Sequence, residues 1–211
     1  MLETKSKKVA KAKAEAPTEP KPKKQKASKT DYVYALEPLP EKVLPPNEFS
    51  SELEVGAFIG ALIKMSKYRT ALEIGVFKGE SSIQIIESLP SGGQYVGIDI
   101  GDYRNAEAEK AMQQGGKSIE FILGNSLDEL KKLPKSHFDL IFVDGNHTWN
   151  YILQEFKIVE NLVARGGVIV YHDSIKIDDV AQLVKYAQQF KYKAVTLNTP
   201  DGHGLSIIQK Y

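Results

Sequence analysis

The chain contains no cysteine among its 211 residues. Disulfide bonds therefore cannot hold the fold together, and no thiolate is available as a nucleophile or a metal ligand. This composition fits a reducing compartment, and we expect a cytoplasmic protein. Long apolar runs are also lacking, since none approaches the roughly 18 residues that a helix needs to cross a bilayer. The N-terminus lacks the apolar core of a secretory signal, so we expect neither a membrane span nor a leader.

Apolar residues are scarce at the N-terminal end, where charge of one sign prevails. Residues 1–30 hold ten lysines and three glutamates, a net +7, whereas the whole chain carries +1, so the other 181 residues carry −6. Such a segment cannot bury enough surface to offset the entropy of ordering, and we expect it to be disordered. Its charge suits nucleic-acid phosphates or another acidic surface, and a solvated tether is the alternative.

The composition changes after residue 30 and again near residue 47. Residues 31–46 are interrupted by prolines, and we expect them to lie extended on a domain that spans residues 47–211. Ser51 and Glu54 form a capping-box pattern, which predicts a helix start. Val55, Phe58, Ile59, Leu62 and Ile63 then recur at helical spacing.

From residue 70 onward, short apolar runs alternate with amphipathic helical stripes. This alternation predicts an α/β fold with a doubly wound, mostly parallel seven-stranded sheet. Only residues 198–204 join the last two runs, which is too short for a parallel crossover, so the last strand should be antiparallel. The apolar runs are 71–74, 95–98, 121–123, 139–143, 168–171, 193–197 and 205–208.

Glycines and an acid follow the first two predicted strands. In open α/β sheets, ligands bind beyond the carboxyl ends of the strands. Gly75 permits a tight turn after the first strand, and Gly79 allows the next helix to pack closely. Asp99 ends the second strand, where a carboxylate can accept hydrogen bonds from ribose hydroxyls. Phe77 occupies the place of the middle glycine of a dinucleotide motif, which disfavours a nicotinamide oxidoreductase.

Acidic and histidine side chains follow the fourth and fifth strands. Asp144 and Asp173 end neighbouring strands, so their carboxylates can converge and suit a hard cation such as Mg²⁺. Such an ion would lower the pKa of a substrate hydroxyl. His147 should face the same edge from the start of the next helix, and it can accept the hydroxyl proton.

These motifs resemble those of a known enzyme family. The string E-x-G-x-x-x-G from Glu73 to Gly79, with Asp99, is similar to the first two motifs of class I S-adenosylmethionine-dependent methyltransferases. FVDGNHTW and GGVIVYHD resemble the signatures of metal-dependent O-methyltransferases of antibiotic and sugar modification, and more distantly those of catechol and caffeoyl-coenzyme A O-methyltransferases. The resemblance covers about residues 47–211.

The resemblance implies a Rossmann-like methyltransferase fold with S-adenosylmethionine and Mg²⁺ as cofactors. It implies a small hydroxylated acceptor, with His147 and Asp144 as catalytic residues. His172 stands where some relatives place a third acidic ligand, so the implied metal ligands are Asp144, Asp173 and His172. The implied cofactor-binding residues are Glu73, Gly75, Gly79, Asp99, Ile100, Asn125, Ser126 and Asp144.

Three alternatives remain open from the sequence. The methyltransferase can be metal-independent and act on oxygen or nitrogen, because neither His172 nor Ser174 is the usual carboxylate or amide. His172 can instead be a structural histidine whose ring hydrogen-bonds a backbone carbonyl. The chain can also be a non-catalytic binding module that uses its basic tail. The sequence leaves the oligomeric state open, and a homodimer is the commonest assembly.

Overall fold

A computed structural model of the protein describes residues 33–35 and 52–210. The predicted disorder of residues 1–30 and most of the lead-in 31–46 lie outside the described residues. The strands are β1 (Val33–Ala35), β2 (Thr70–Ile74), β3 (Gln94–Asp99), β4 (Ser118–Leu123), β5 (Phe138–Val143), β6 (Val163–His172), β7 (Tyr192–Asn198) and β8 (Leu205–Lys210). The helices are α1 (Leu53–Ser66), α2 (Glu80–Ser88), α3 (Ala106–Met112), α4 (Ser126–Glu129), α5 (Trp149–Leu162) and α6 (Asp178–Gln188).

The described strands form a single sheet in the order β1-β7-β8-β6-β5-β2-β3-β4. Strand β8 pairs antiparallel with β6 and with β7, and every other pairing is parallel. The seven predicted strands and the antiparallel last strand are therefore confirmed. An eighth strand, β1, comes from the lead-in, which we expected to be extended, and it pairs with the edge strand β7.

Helices cover both faces of the sheet because successive strand residues point to opposite faces. In β5, Ile141 and Val143 pack into the core beneath α5 and α6. Leu140 and Phe142, from the same strand, pack into a second core with α1 and α2. Residues at alternating positions of a strand face opposite sides, so a nearly continuous apolar run such as β5 is buried on both faces.

The predicted helical stripes are confirmed, and Ser51, the first residue of the predicted capping box, lies outside the described residues. Helix α1 begins at Leu53, and Glu52 occupies the capping position without a hydrogen bond from its side chain to the helix. The Glu52 carboxylate instead binds His172 and Thr199, which are far away in the chain. The Glu52 side chain is therefore engaged in tertiary contacts and not in capping α1.

The chain order reverses between β2 and β5, which lie side by side in the sheet. This reversal opens a crevice at their carboxyl ends. The amide of Gly75 donates to the carbonyl of Ile98 (2.9 Å), and the amide of Asp144 donates to the carbonyl of Ile74 (2.8 Å). Gly75 has φ 88°, and a Cβ at this position would overlap the carbonyl of Asp144. The fold therefore holds the loops after β2, β3 and β5 together.

Among residues 33–35 and 52–210, no helix has both the length and the apolar character needed to cross a membrane.

Substitution of Gly75 by alanine tests the close approach at the crevice. The matched control is Gly166→Ala, because Gly166 has a similar φ of 83° but open space where its Cβ would lie. We expect the control to lower the free energy of unfolding by about 1 kcal/mol through backbone strain alone. Gly75→Ala should lose about 1–3 kcal/mol more, because overlap adds to the strain. Urea unfolding measures both, and equal losses would contradict the close approach.

Candidate active site

The loop after β2 is anchored by the carboxylate that ends β3. Oδ2 of Asp99 accepts hydrogen bonds from the amides of Val76 and Phe77, each at 2.8 Å. Oδ1 accepts one from the amide of Gly101 at 3.1 Å. A carboxylate offers about four lone-pair sites, and three of them are in use. The Asp99 carboxylate can therefore accept one further hydrogen bond. To bind two ribose hydroxyls, it would have to give up one of its three bonds to the backbone.

Two residues in this loop have left-handed backbones. Phe77 has φ 47°, and its ring centroid lies 5.9 Å from that of Tyr103. Gly79 has φ 83° and precedes α2, where a Cβ would overlap Ala108 of α3. Gly79 thus permits close packing as predicted, but its neighbour is α3 rather than the helix that it begins.

Glu73 lies inside the fold and not on the crevice wall. The side chain is fully buried, and its oxygens accept hydrogen bonds from the hydroxyls of Ser81, Ser82 and Tyr95. Burial raises the pKa of Glu73 to about 7, against the lowering effect of these bonds. A direct contact between Glu73 and a cofactor would require this network to open, so its position does not support the predicted contact. Glu73 instead fastens β2 to α2 and β3.

Apolar side chains are exposed at the crevice edge beyond Asp99. Ile100, which the resemblance places against adenine, is 70% exposed. Tyr103 and Leu123 are also exposed, at 57% and 60%. Leu123 stands opposite Asp99 in the β3–β4 register. Exposed apolar surface beside a carboxylate suits a nucleoside, whose base is flat and whose sugar is polar.

Asn125 and Ser126, which follow β4 and Gly124, already bind protein groups. Asn125 caps α4, with Oδ1 accepting from the amide of Leu127 at 3.0 Å. Ser126 is buried, and its hydroxyl lies 2.6 Å from Oε1 of Glu155 and 2.8 Å from the hydroxyl of Tyr151. Both residues therefore lie at the crevice edge, and their side chains already form hydrogen bonds with other protein groups.

His172 is held between two carboxylates. Its Nδ1 lies 3.0 Å from Oδ1 of Asp144, and its Nε2 lies 2.7 Å from Oε2 of Glu52. Burial alone would lower the pKa of His172, but the hydrogen bonds to Asp144 and Glu52 raise it to about 10. Burial raises the pKa of Glu52, but the hydrogen bonds from His172 and Thr199 outweigh this effect and lower the pKa to about 2. His172 is therefore an imidazolium at neutral pH.

This state of His172 bears on its predicted role as a metal ligand. Asp144, His172 and Asp173 bring ligand atoms within 4.8 Å of one another, and so do Glu52, His172 and His203. Both ring nitrogens of His172 face carboxylates, however, and an imidazolium has no lone pair for a metal. While these bonds persist, ligation by His172 is not supported, and Asp144 and Asp173 are the remaining oxygen donors.

Asp173 completes the pair of carboxylates at the ends of β5 and β6. It has φ 58°, a left-handed conformation that aspartate tolerates better than most residues. Its Oδ1 lies 2.5 Å from Nδ1 of His203, and the His203 ring stacks on that of His172 at 5.4 Å. The β7–β8 hairpin, which carries His203, thus reaches the same edge of the sheet.

His147 lies between the two aspartates. Its Nε2 is 3.8 Å from Oδ1 of Asp144, and its Nδ1 is 3.6 Å from Oδ2 of Asp173. Nε2 is buried without a hydrogen-bond partner in the part of the chain that the structure describes. Helix α5 begins only at Trp149, so His147 belongs to the preceding loop and not to the helix start. The structure therefore brings Asp144, His147 and Asp173 together.

Two site residues were missed from the sequence. Thr199 donates to Oε1 of Glu52 at 2.6 Å and accepts from the amide of Gly204 at 3.0 Å. Glu52 thereby joins the start of α1 to His172 and to the β7–β8 hairpin. Its partners are 120 and 147 residues away in the chain, so no local pattern could have revealed it.

The fold and the crevice define the class. A doubly wound sheet, an antiparallel last strand and a glycine turn at the reversal point are those of a Rossmann-like methyltransferase. Solved structures share this fold: an O-methyltransferase from Bacillus cereus in complex with SAH is 20% identical, covers 79% of this chain and 84% of its own, and has TM-score 0.64. The O-methyltransferase TomG from Streptomyces achromogenes, in complex with SAM, is 21% identical, covers 78% and 82%, and has TM-score 0.62.

Sequence comparison gives the family. The sequence model of the O-methyltransferase family matches residues 28–199, and the chain belongs to this family. Caffeoyl-CoA O-methyltransferases from Pinus taeda and Petunia hybrida are each 30% identical over 185 residues, covering 79% of this chain and 71% and 76% of theirs. The predicted S-adenosylmethionine-dependent methyltransferase is therefore confirmed, and the transfer is to oxygen.

The charge on His172 can be tested by its dependence on pH. Its pKa of about 10 exceeds the ordinary 6.5, so its stabilising effect is complete below pH 6.5 and disappears as the pH rises through about 10. We expect the free energy of unfolding to fall by about 2–4 kcal/mol over this range and His172→Gln to flatten the fall. Urea unfolding in chelator measures the slope, and nitrogen-15 spectra showing a neutral His172 at pH 8 would contradict the assignment.

Proposed function

We propose that the protein methylates a hydroxyl group of a small substrate with the help of Mg²⁺. The observation that carries the proposal is the cluster in which His147 lies 3.8 and 3.6 Å from the carboxylates of Asp144 and Asp173. Two carboxylates from adjacent strand ends are donors that suit a hard divalent ion. Asp144 and Asp173 would hold that ion, which would supply charge to lower the pKa of a substrate hydroxyl.

His147 is the proposed general base. Its buried Nε2 has no hydrogen-bond partner among the described residues, so a lone pair or proton at this atom is not engaged by the fold. An imidazole nitrogen in this position can take the proton of an acceptor hydroxyl. Asp144 would orient the imidazole from one side and Asp173 from the other.

We place the binding site for the cofactor at the loops after β2, β3 and β4. The turn at Gly75 and Gly79 would contact the amino-acid end of S-adenosylmethionine, and Asp99 the ribose. Ile100 would pack on the base, with Asn125 and Ser126 at its edge. Asp144 would border the same molecule through the contact between its backbone and Gly75. The missing Cβ at Gly75 and the exposed face of Ile100 support this orientation.

A metal-independent reaction is the second candidate, and one observation favours it. The His172 imidazolium already provides a positive charge against Asp144 and Glu52 at 3.0 and 2.7 Å. A cation fixed in the protein reduces the need for a bound ion at the same carboxylates. In that case His147 alone would activate the acceptor.

The substrate class is proposed from the relatives. Their names give caffeoyl-CoA as the acceptor of those enzymes, and a small hydroxylated molecule is the corresponding class for this chain. A cytoplasmic location, a homodimer and a role of the basic tail in binding nucleic acid or another acidic surface remain predictions.

Ligand-induced stabilisation tests the cofactor and the metal together. S-adenosylhomocysteine at a hundred times its Kd should add about 2.7 kcal/mol to the free energy of unfolding, whereas NAD should add nothing. If Asp144 and Asp173 hold Mg²⁺, the ion should add a further increment that Asp173→Asn abolishes. Stabilisation by S-adenosylhomocysteine without any effect of Mg²⁺ would favour the metal-independent candidate.

The role of His147 is tested by methyl transfer to a panel of small phenols and catechols. Because a positioned base contributes about 10²–10⁴-fold, His147→Gln should lower kcat by at least about a hundredfold while the Kd for S-adenosylhomocysteine stays within threefold. The matched control is His137→Gln. His137 lies at the end of β5 opposite the site, and its Nε2 is 2.7 Å from Oε1 of Gln94. A His147→Gln variant with the kcat of wild type would exclude His147 as the base.

A further inference from the structure

A buried glutamate lies behind the loop that follows β4. Glu155 belongs to α5, is fully buried, and accepts a 2.6 Å hydrogen bond at Oε1 from the hydroxyl of Ser126. Burial raises the pKa of Glu155 to about 7, although the bond from Ser126 lowers it. Enclosing a carboxyl group costs free energy unless its hydrogen bonds are satisfied. The proposed reaction makes no use of Glu155, so its presence there needs another reason.

The carboxyl group is not satisfied by the fold alone. Its second oxygen, Oε2, has no hydrogen-bond partner in the described part of the chain, and neither has the buried hydroxyl of Tyr171. The pKa of Tyr171 lies well above its ordinary value because of burial and of the nearby charge of Glu155. Most buried polar atoms in proteins have a partner. Among the described residues, Glu155 is therefore held by a hydrogen bond at Oε1 alone.

The bond to Glu155 fixes the direction of the hydrogen bonds around it. A serine hydroxyl has one proton to donate, and Ser126 gives that proton to the ionised carboxylate of Glu155. Towards every other group, Oγ of Ser126 can only accept. The Tyr151 hydroxyl also has a single proton. It donates to Oδ1 of Asn125 at 3.2 Å and lies 2.8 Å from Oγ of Ser126, so these two oxygens share that one proton. In the loop after β4, Oγ of Ser126 and Oδ1 of Asn125 therefore act as hydrogen-bond acceptors.

These acceptors lie next to the proposed nucleoside site. The amide of Gly124 donates to the carbonyl of Asp99 at 2.8 Å, which joins the loop to the end of β3. Ile100, beside Asp99, exposes its apolar side chain. A base packed on Ile100 would turn its edge towards Asn125 and Ser126. The amino group of adenine is a donor and matches an acceptor there, whereas the oxo group of hypoxanthine does not.

We propose that Glu155 is a positioning residue that sets the base specificity of the cofactor site, by holding Ser126 as a hydrogen-bond acceptor for an exocyclic amino group. The inference rests on the cofactor orientation given under the proposed function. Glu155 itself does not touch the reacting atoms. Its effect should appear in discrimination between bases and not in the rate of methyl transfer at saturating cofactor.

The experiment compares two ligands that differ only in the base, S-adenosylhomocysteine and S-inosylhomocysteine, by isothermal titration calorimetry. The wild-type protein should prefer the adenine compound by at least about tenfold, the value of one neutral hydrogen bond. Glu155→Gln should reduce the preference to within about threefold, because the glutamine amide can donate to Ser126 and free the serine proton. Ser126→Ala, which removes the acceptor, should do the same.

Glu160→Gln is the matched control, because Glu160 lies in the same helix but binds the hydroxyl of Tyr192 at 2.5 Å. It should keep the preference of wild type. Unchanged preference in Glu155→Gln would overturn the inference and leave the proposed function intact. Should that variant fail to fold, Ser126→Ala decides by the same criterion. If wild type bound neither compound, the proposed cofactor site and the inference would both fall.

Discussion

The arrangement of the active site depends on the close approach of two chain segments at the centre of the sheet. Gly75 has no side chain, and the carbonyl of Asp144 takes the space that a Cβ would need. Backbone hydrogen bonds from Gly75 to Ile98 and from Asp144 to Ile74 hold the carboxyl ends of the adjacent strands β5, β2 and β3 side by side. A larger residue at position 75 would separate the loop that suits the cofactor from the loop that carries Asp144 and His147.

A second constraint is electrostatic. Glu52, Asp144 and Asp173 bring three carboxylates to one edge of the sheet, and the buried His172 ring lies 2.7, 3.0 and 3.8 Å from them. Each bond offsets the cost of removing the other groups from water, and loss of one partner from such a buried set is expensive because a charge is left uncompensated. The imidazolium therefore joins the start of α1, the end of β5 and the end of β6.

The sequence was sufficient for the features that depend on local pattern. Alternating apolar runs predicted seven strands, the short connection 198–204 predicted the antiparallel one, and residues after each strand predicted the positions of Gly75, Asp99 and Asp144. Features that depend on distant partners were not predictable. The Glu52 carboxylate binds His172 and Thr199, and the Ser126 hydroxyl binds Glu155 on a later helix. Glu73 matches its motif in the sequence, but in the structure its carboxylate is buried inside the fold.

The antiparallel strand has a consequence for the order in which the site is assembled. Because β8 runs against its neighbours, the connection between β7 and β8 emerges at the same edge as the ends of β5 and β6. Thr199 and His203 therefore meet Glu52 and Asp173 only after most of the sheet has been synthesised. Domains generally fold as units. A nascent chain that has reached only β6 would therefore still lack two of the side chains that bind Glu52 and Asp173 at this edge.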